Sequence, residues 1–375
     1  MILGLSKKTL AILGAALVIA VGAIVYQSSG CTTVTDVTPE RGSHGYRVWS
    51  NDVFKSFTHR GQDICVPEGW FTVGAVSEGE GTAKYERGKT GILVRKDAFG
   101  LRVLEPTNSS FRVNVYYPLT LPRADVEKLF TLVAGTFSNV GAWYGDKVVA
   151  DRKPHSVIVT TGLLPDEQVY PDPSERVTSL IASPKAERGE GLLIHAVVHL
   201  YNRFSGELGY QGAQWPFNAG EFQELEATWA ETGLSTHPEA GFTRLNYLYR
   251  VHSALVAQKP ELVTDPPFND AEAFNAITPT ILVKPGSPYL DFQYGHYVLA
   301  PLTMVAIDTL LTDRATGLSV YSILKDIHTG KRTGFMEAVS AVLPDKDMKQ
   351  INAWIIADAQ IPVSLIQRAI ARYDQ

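Results

Sequence analysis

The chain has 375 residues, 45% of them hydrophobic and 19% charged, with a formal net charge of -5. That length exceeds one ordinary core and predicts two or three structural units, while the composition excludes a disordered tail. Phosphate binding needs clustered Lys and Arg, and with no long basic run in the chain no nucleic-acid partner is expected.

The N-terminus differs in kind from the rest. Lys7 and Lys8 precede an unbroken apolar run over residues 9–26. As a helix that run spans about 27 Å, close to the thickness of a bilayer core. The lysine pair predicts a cytoplasmic N-terminus and a body outside the cytoplasm, periplasmic or extracellular, held at the cell membrane. Three readings of residues 1–30 stay open: an uncleaved single-pass anchor, a cleaved export signal ending near Ser28 and Gly30, or a lipoprotein processing site at Ser28-Ser29-Gly30-Cys31. All three export the body. The two cysteines, Cys31 and Cys65, can pair in an oxidising compartment; the alternative is a lipidated or free Cys31 and a buried Cys65. Two cysteines cannot make a zinc site by themselves.

Residues 31–118 read as a small β-domain. Runs at 46–49, 70–73, 91–94 and 111–115 are rich in β-branched and aromatic residues and are separated by Gly, Pro, Asn and charged turns. After Pro122 the period changes. Val126, Leu129, Phe130, Leu132 and Val133 recur at helical spacing, predicting a helix over 124–144. Short β-branched runs at 155–161 and 178–182 predict buried strands. Helices are predicted at 192–204 and 220–233, and then at 241–258, 290–312, 319–327, 335–342, 346–358 and 363–371. Pro266-Pro267 and the segment 279–288 interrupt this series.

One pair of residues points to chemistry. His195 and His199 stand four apart on the helix predicted at 192–204, so both imidazoles share one face and can reach one ion. In zinc peptidases such a pair is written H-E-x-x-H, and its glutamate takes a proton from metal-bound water. Here that position is Ala196, which accepts no proton. Glu221, Glu224 and Glu226 lie on the next predicted helix; at least two of them read as a solvated face. The chain lacks Gly-x-Ser-x-Gly and the phosphate-cradling glycine loops, so neither a serine hydrolase nor a nucleotide enzyme is expected.

The run from His195 to Asn202, reading H-A-V-V-H-L-Y-N, resembles the H-E-(F/Y)-F-H-x-W-N helix of the glycyl aminopeptidase family of gluzincin metallopeptidases. Trp229, Gly233 and Ser235 resemble that family's W-x-x-E-G-x-T stretch. Tyr294 and Gly295, the stretch through Asp308 and Gly317, and the closing Trp354 and Pro362 resemble three further blocks, in the same order. The resemblance covers residues 111–362. It implies a thermolysin-like catalytic domain followed by a helical domain, with zinc as the cofactor. It also implies a role for the Tyr294 hydroxyl in steadying a tetrahedral intermediate. His296, two residues on, is read as incidental.

The departures from that family bear on function. Aligning Trp229 and Gly233 puts Thr232 at the position of the third zinc ligand; a shift by one residue puts Glu231 there instead, and Glu224, seven residues earlier on the same face, is the alternative to Glu231 for completing the site. Neighbours on a helix point about 100° apart, so only one of Thr232 and Glu231 can face the histidines. In the first register both acidic functions are gone, zinc is held weakly or not at all, and Ala196→Glu together with Thr232→Glu should restore them. The expected fold class is therefore α+β, with an anchor or export signal (1–30), a β-domain (31–118), a gluzincin-type domain (119–240) and an all-α domain (241–375). The expected function is an exported, catalytically impaired peptidase homologue that binds peptide or protein in its cleft. Two rivals stand beside it: an active zinc aminopeptidase using Glu231, and a structural envelope protein whose cleft has no ligand.

Overall fold

The computed structural model describes residues 31–34, 52–58, 63–79, 81–85, 90–145, 153–159, 177–180, 186–205, 219–235, 245, 249, 300–356 and 361–373. The strand expected at 46–49, the helix expected at 241–258 (Leu245 and Tyr249 aside), Tyr294, His296 and the anchor segment 1–30 lie outside these residues. Among the described residues no helix is long and apolar enough to cross a membrane.

The chain is mixed α+β and divides into two compact units, residues 1–98 and 99–375. In the first, the described residues form short strands in chain order: β1 (Thr32–Thr33), β2 (Phe54–Thr58), β3 (Ile64–Cys65), β4 (Trp70–Val73), β5 (Ser77–Gly79), β6 (Thr82–Lys84) and β7 (Thr90–Arg95). They form one sheet in the order β1-β3-β6-β5 and another in the order β2-β7-β4. Strands this short bury little by themselves, and the unit is closed by a small core of Val34, Phe57, Ile64, Ala83, Tyr85 and Leu93. Phe57 meets Tyr85 edge to face at 5.3 Å, and the Tyr85 hydroxyl donates to the Ile92 carbonyl at 2.8 Å. Cys31 and Cys65 form a disulfide, with their Cα atoms 4.9 Å apart. A disulfide-bonded Cys31 cannot also carry a thioether lipid.

The second unit opens with β8 (Phe99–Leu104) and β9 (Phe111–Pro118), followed by helix α1 (Arg123–Tyr144), β10 (Lys153–Val159) and β11 (Val177–Leu180). The sheet order is β11-β10-β9-β8, with β9, β10 and β11 parallel and β8 antiparallel to β9. β8 pairs with β9, and β9 pairs in turn with β10, so β8 and β9 share a sheet with strands from beyond residue 118. The physical reason is burial on both sides. Val113, Val115, Val157, Ile158 and Val159 are all fully buried, and parallel strands of this kind need helices to cover them.

Helix α1 supplies one cover. Val126, Leu129, Phe130, Val133, Phe137 and Val140 recur every three or four residues and are buried. Its Gly141 passes so close to the chain at Asn108 that a Cβ would lie 2.0 Å from the Asn108 carbonyl oxygen. Helices α2 (Ala186–Ser205) and α3 (Ala219–Gly233) follow. Then come α4 (Ala300–Asp313), α5 (Val320–His328), α6 (Phe335–Ser340), α7 (Asp345–Ile356) and α8 (Val363–Tyr373). One continuous core runs from Phe111 through α1, α2 and α3 to Ala369 of α8.

Candidate functional site

Helix α2 is fixed by its apolar face. Leu193, Ile194, Val197, Val198 and Tyr201 are all buried at 1% exposure or less, which leaves His195 and His199 on the remaining strip. Ala196 is 1% exposed and belongs to the packed side. The imidazoles of His195 and His199 lie with ring centroids 4.6 Å apart at 74°, and their Nε2 atoms are 3.0 Å apart. The i, i+4 spacing thus does bring the two rings together, as the sequence implies.

Helix α3 lies against α2 and settles which of its residues faces the pair. Glu231 Oε1 is 2.8 Å from His195 Nδ1, and the two side chains are 4% and 10% exposed. Thr232 turns elsewhere. Its hydroxyl donates to the Trp229 carbonyl at 2.8 Å, and its side chain lines a cavity of about 250 Å³ with Trp229, Val305, Asp308, Thr309 and Arg372. The Trp and Gly anchors have a local cause. The Trp229 indole lies across Gly233, where a Cβ would be 2.6 Å from the ring, and stacks obliquely on Trp143 at 5.7 Å. The register that favoured Thr232 matched this packing and not the orientation of an acidic side chain.

Two further contacts frame α2 and α3. Ser235 donates to the buried Glu190 Oε2 at 2.6 Å, five residues before His195. At the other end of α2, Asn202 Oδ1 accepts from the Tyr144 hydroxyl, and the Tyr201 hydroxyl lies 3.1 Å from Ser109 Oγ. A deeper pair escaped the sequence reading. His328 Nε2 lies 2.6 Å from Glu226 Oε1, with both side chains sealed from solvent and the imidazole stacked on Tyr144 at 4.0 Å. The two polar atoms approach without the directionality of a linear hydrogen bond. Glu226 is therefore no solvated residue. A glutamate at helical spacing carries no sign of the residue it will meet a hundred positions later, so nothing local could have shown this. The side chains of Glu221 and Glu224 lie outside the described residues.

The carboxyl that shares the cavity with Thr232 is electrostatically marked. Burial pushes the Asp308 carboxyl above the ordinary carboxylate range; the Val320 N–H, which donates to Asp308 Oδ1 at 2.7 Å, and the nearby Arg372 pull the other way.

These side chains fit a zinc centre only in part. Two convergent imidazole nitrogens are the beginning of a metal site, but a catalytic zinc usually has three protein ligands. The Glu231 carboxylate stands on the outer nitrogen of His195, not beside the Nε2 atoms. Among the described residues no group of three or more His, Cys, Asp or Glu side chains is arranged to hold a metal ion.

Neither a protein-family model nor a curated protein matches the chain. Among solved structures it is distantly similar to zinc aminopeptidases of the M1 class. One is an aminopeptidase N family protein from Idiomarina loihiensis, at 10% identity and a TM-score of 0.45 over 86% of this chain and 60% of that one. Another is a variant of an M1 zinc metallopeptidase from Deinococcus radiodurans, at 11% identity and a TM-score of 0.41 over 87% of this chain and 76% of that one. The unmodified Deinococcus radiodurans enzyme gives 10% identity and a TM-score of 0.35 over 90% and 73%. The chain spans 60% of the length of the Idiomarina protein, and likeness at this level says nothing about which side chains act.

Proposed function

We propose that this chain is an exported gluzincin-type peptidase homologue, of the glycyl aminopeptidase kind, that binds peptide or protein in its cleft without hydrolysing it. The observation that carries the reading is the acidic chemistry around His195 and His199. The residue between them that should accept a proton is Ala196, buried and apolar, and the one carboxylate described near the pair, Glu231, engages His195 Nδ1. General acid–base assistance contributes about 100- to 10,000-fold to such reactions. Neither the methyl group of Ala196 nor the neighbouring Val197 and Val198 can supply it. The Cys31–Cys65 disulfide and the Lys7-Lys8 pair before residues 9–26 support a body outside the cytoplasm, in the periplasm or beyond the cell. The membrane is then a partner through the N-terminal segment.

The test is an assay of the full-length protein on aminoacyl amides and short peptides, with binding of the same peptides measured in parallel. Binding without turnover is expected. The reading also expects Ala196→Glu with Thr232→Glu to remain inactive, because a longer acid at 232 would enter the cavity beside Asp308 and not the histidine site. A second reading, an active zinc aminopeptidase, draws on the convergence of the two Nε2 atoms at 3.0 Å. Chelator-sensitive turnover by the unmodified protein would establish that reading in place of ours. Absence of both turnover and peptide binding would leave a structural envelope protein.

A further inference from the structure

The proposed function turns on what Glu231 does, and the geometry allows a sharper statement that deepens that reading. We infer that Glu231 is a positioning residue for His195, not the third arm of a metal ring: Glu231, His195 and His199 form a chain of hydrogen bonds that closes without an ion.

An ionised carboxylate only accepts, so His195 Nδ1, 2.8 Å from Glu231 Oε1, carries the proton and donates it. A neutral imidazole has one N–H, so His195 Nε2 then presents a lone pair. His199 Nε2, 3.0 Å away, supplies the matching N–H. Every polar atom along this line is matched. This is the arrangement by which a carboxylate sets the tautomer and orientation of a histidine.

The distance between the rings agrees. The 3.0 Å between the two Nε2 atoms lies at the usual length of a nitrogen hydrogen bond. The placement of Glu231 agrees too. Nδ1 and Nε2 sit on opposite sides of the ring, so a carboxylate seated on Nδ1 cannot also approach an ion seated at Nε2.

A third observation concerns the surroundings. Glu231 is one rung of a polar seam between α2 and α3. The buried Glu190 accepts from Ser235 at 2.6 Å, and Glu231 accepts from His195. The pairing is antiparallel: the earlier residue of α2 meets the later residue near the end of α3. A carboxylate working as such a rung is held by helix packing, not by a ligand.

The experiment is nitrogen NMR on the full-length protein with isotope-labelled histidine, metal-free and after one equivalent of zinc. His195 is expected to be protonated at Nδ1 and bare at Nε2, and zinc is expected to leave that pattern unchanged. Glu231→Gln should keep the pattern, since an amide oxygen accepts from the same N–H. Glu231→Ala should lose it, and His199→Ala should leave Nδ1 protonated. Shifts of both Nε2 signals on one equivalent of zinc would overturn the inference. So would a loss of zinc affinity well beyond the about 10- to 100-fold that orienting partners contribute, on Glu231→Gln. The two readings fail separately. Peptide hydrolysis with Glu231 still on Nδ1 would sink the proposed function alone. Zinc captured by Glu231 without hydrolysis would sink this inference alone.

Discussion

Helix α3 carries two glutamates that each meet a histidine. Glu226 faces His328 at 2.6 Å with side-chain exposures of 0% and 1%. Glu231 faces His195 at 2.8 Å with exposures of 4% and 10%. The first pair is enclosed by Trp143, at 4.9 Å from the His328 ring, and by Tyr144 stacked upon it. It joins α3 to α5 in the middle of the core. The second pair continues into His199, whose side chain is only half-buried. Identical residue types thus do different work. A sealed pair ties two helices together, whereas a pair with an open end can present chemistry to whatever enters. Residue identity and even a short contact do not distinguish the two; access does.

The largest effect expected from this comparison is on stability. His328→Ala removes the imidazole from a Glu226 carboxyl that is sealed from solvent. Removal of one member of a buried pair typically costs about 3–5 kcal/mol. Chemical denaturation should show that loss, and a change below about 1 kcal/mol, the range of an exposed pair, would remove the sealed pair from the framework of the fold. Glu231→Ala should cost less, about 1–3 kcal/mol for a buried imidazole N–H left unsatisfied. His199→Ala, at the open end, should cost less still in the same denaturation series. Should Glu231→Ala prove as damaging as His328→Ala, the contrast between a sealed and an open pair would collapse.

The smallest effect concerns a single carboxyl outside both pairs. The Asp308 carboxyl is held above its ordinary value of 3.8, chiefly by burial. The folded state therefore binds its proton more tightly than the unfolded chain does. Stability from this group is greatest below the unfolded value and falls as pH rises from there through the folded value. Asp308→Asn should remove that slope. Melting curves of the two proteins should lie closest in the acid range and separate in favour of the variant as pH rises towards neutral. Separation in the opposite direction would mean that the Val320 N–H and Arg372 outweigh burial.

Much of the helical architecture was legible because amphipathic periodicity repeats within one element. The helix expected at 124–144 is α1 (Arg123–Tyr144), and those expected at 319–327 and 363–371 are α5 (Val320–His328) and α8 (Val363–Tyr373), each within two residues at either end. The helix expected at 335–342 overran, since α6 (Phe335–Ser340) stops earlier. Strands fared less evenly. The run at 70–73 is β4 as expected, but β2 and β8 were missed. β8 has Leu101, Arg102 and Val103 all exposed in succession, so it shows none of the alternation that marks a half-buried strand.

The candidate site divides along the same line. Positions 195 and 199 share a helix face by virtue of the 3.6-residue turn alone, so their meeting was decided within the sequence. So was the apolar side chain at position 196, which is a matter of residue type alone. Which of Glu231 and Thr232 would face the histidines was not decidable there. That choice depends on the rotation of α3 about its own axis, and the rotation is set by Trp229 packing on Trp143, by Gly233 beneath the indole and by Ala227 and Ala230 in the core. The meeting of Glu226 with His328 likewise needed the tertiary structure. Local spacing determines which residues of one helix stand together; only the packing of several helices around a shared core determines which residues of different helices meet.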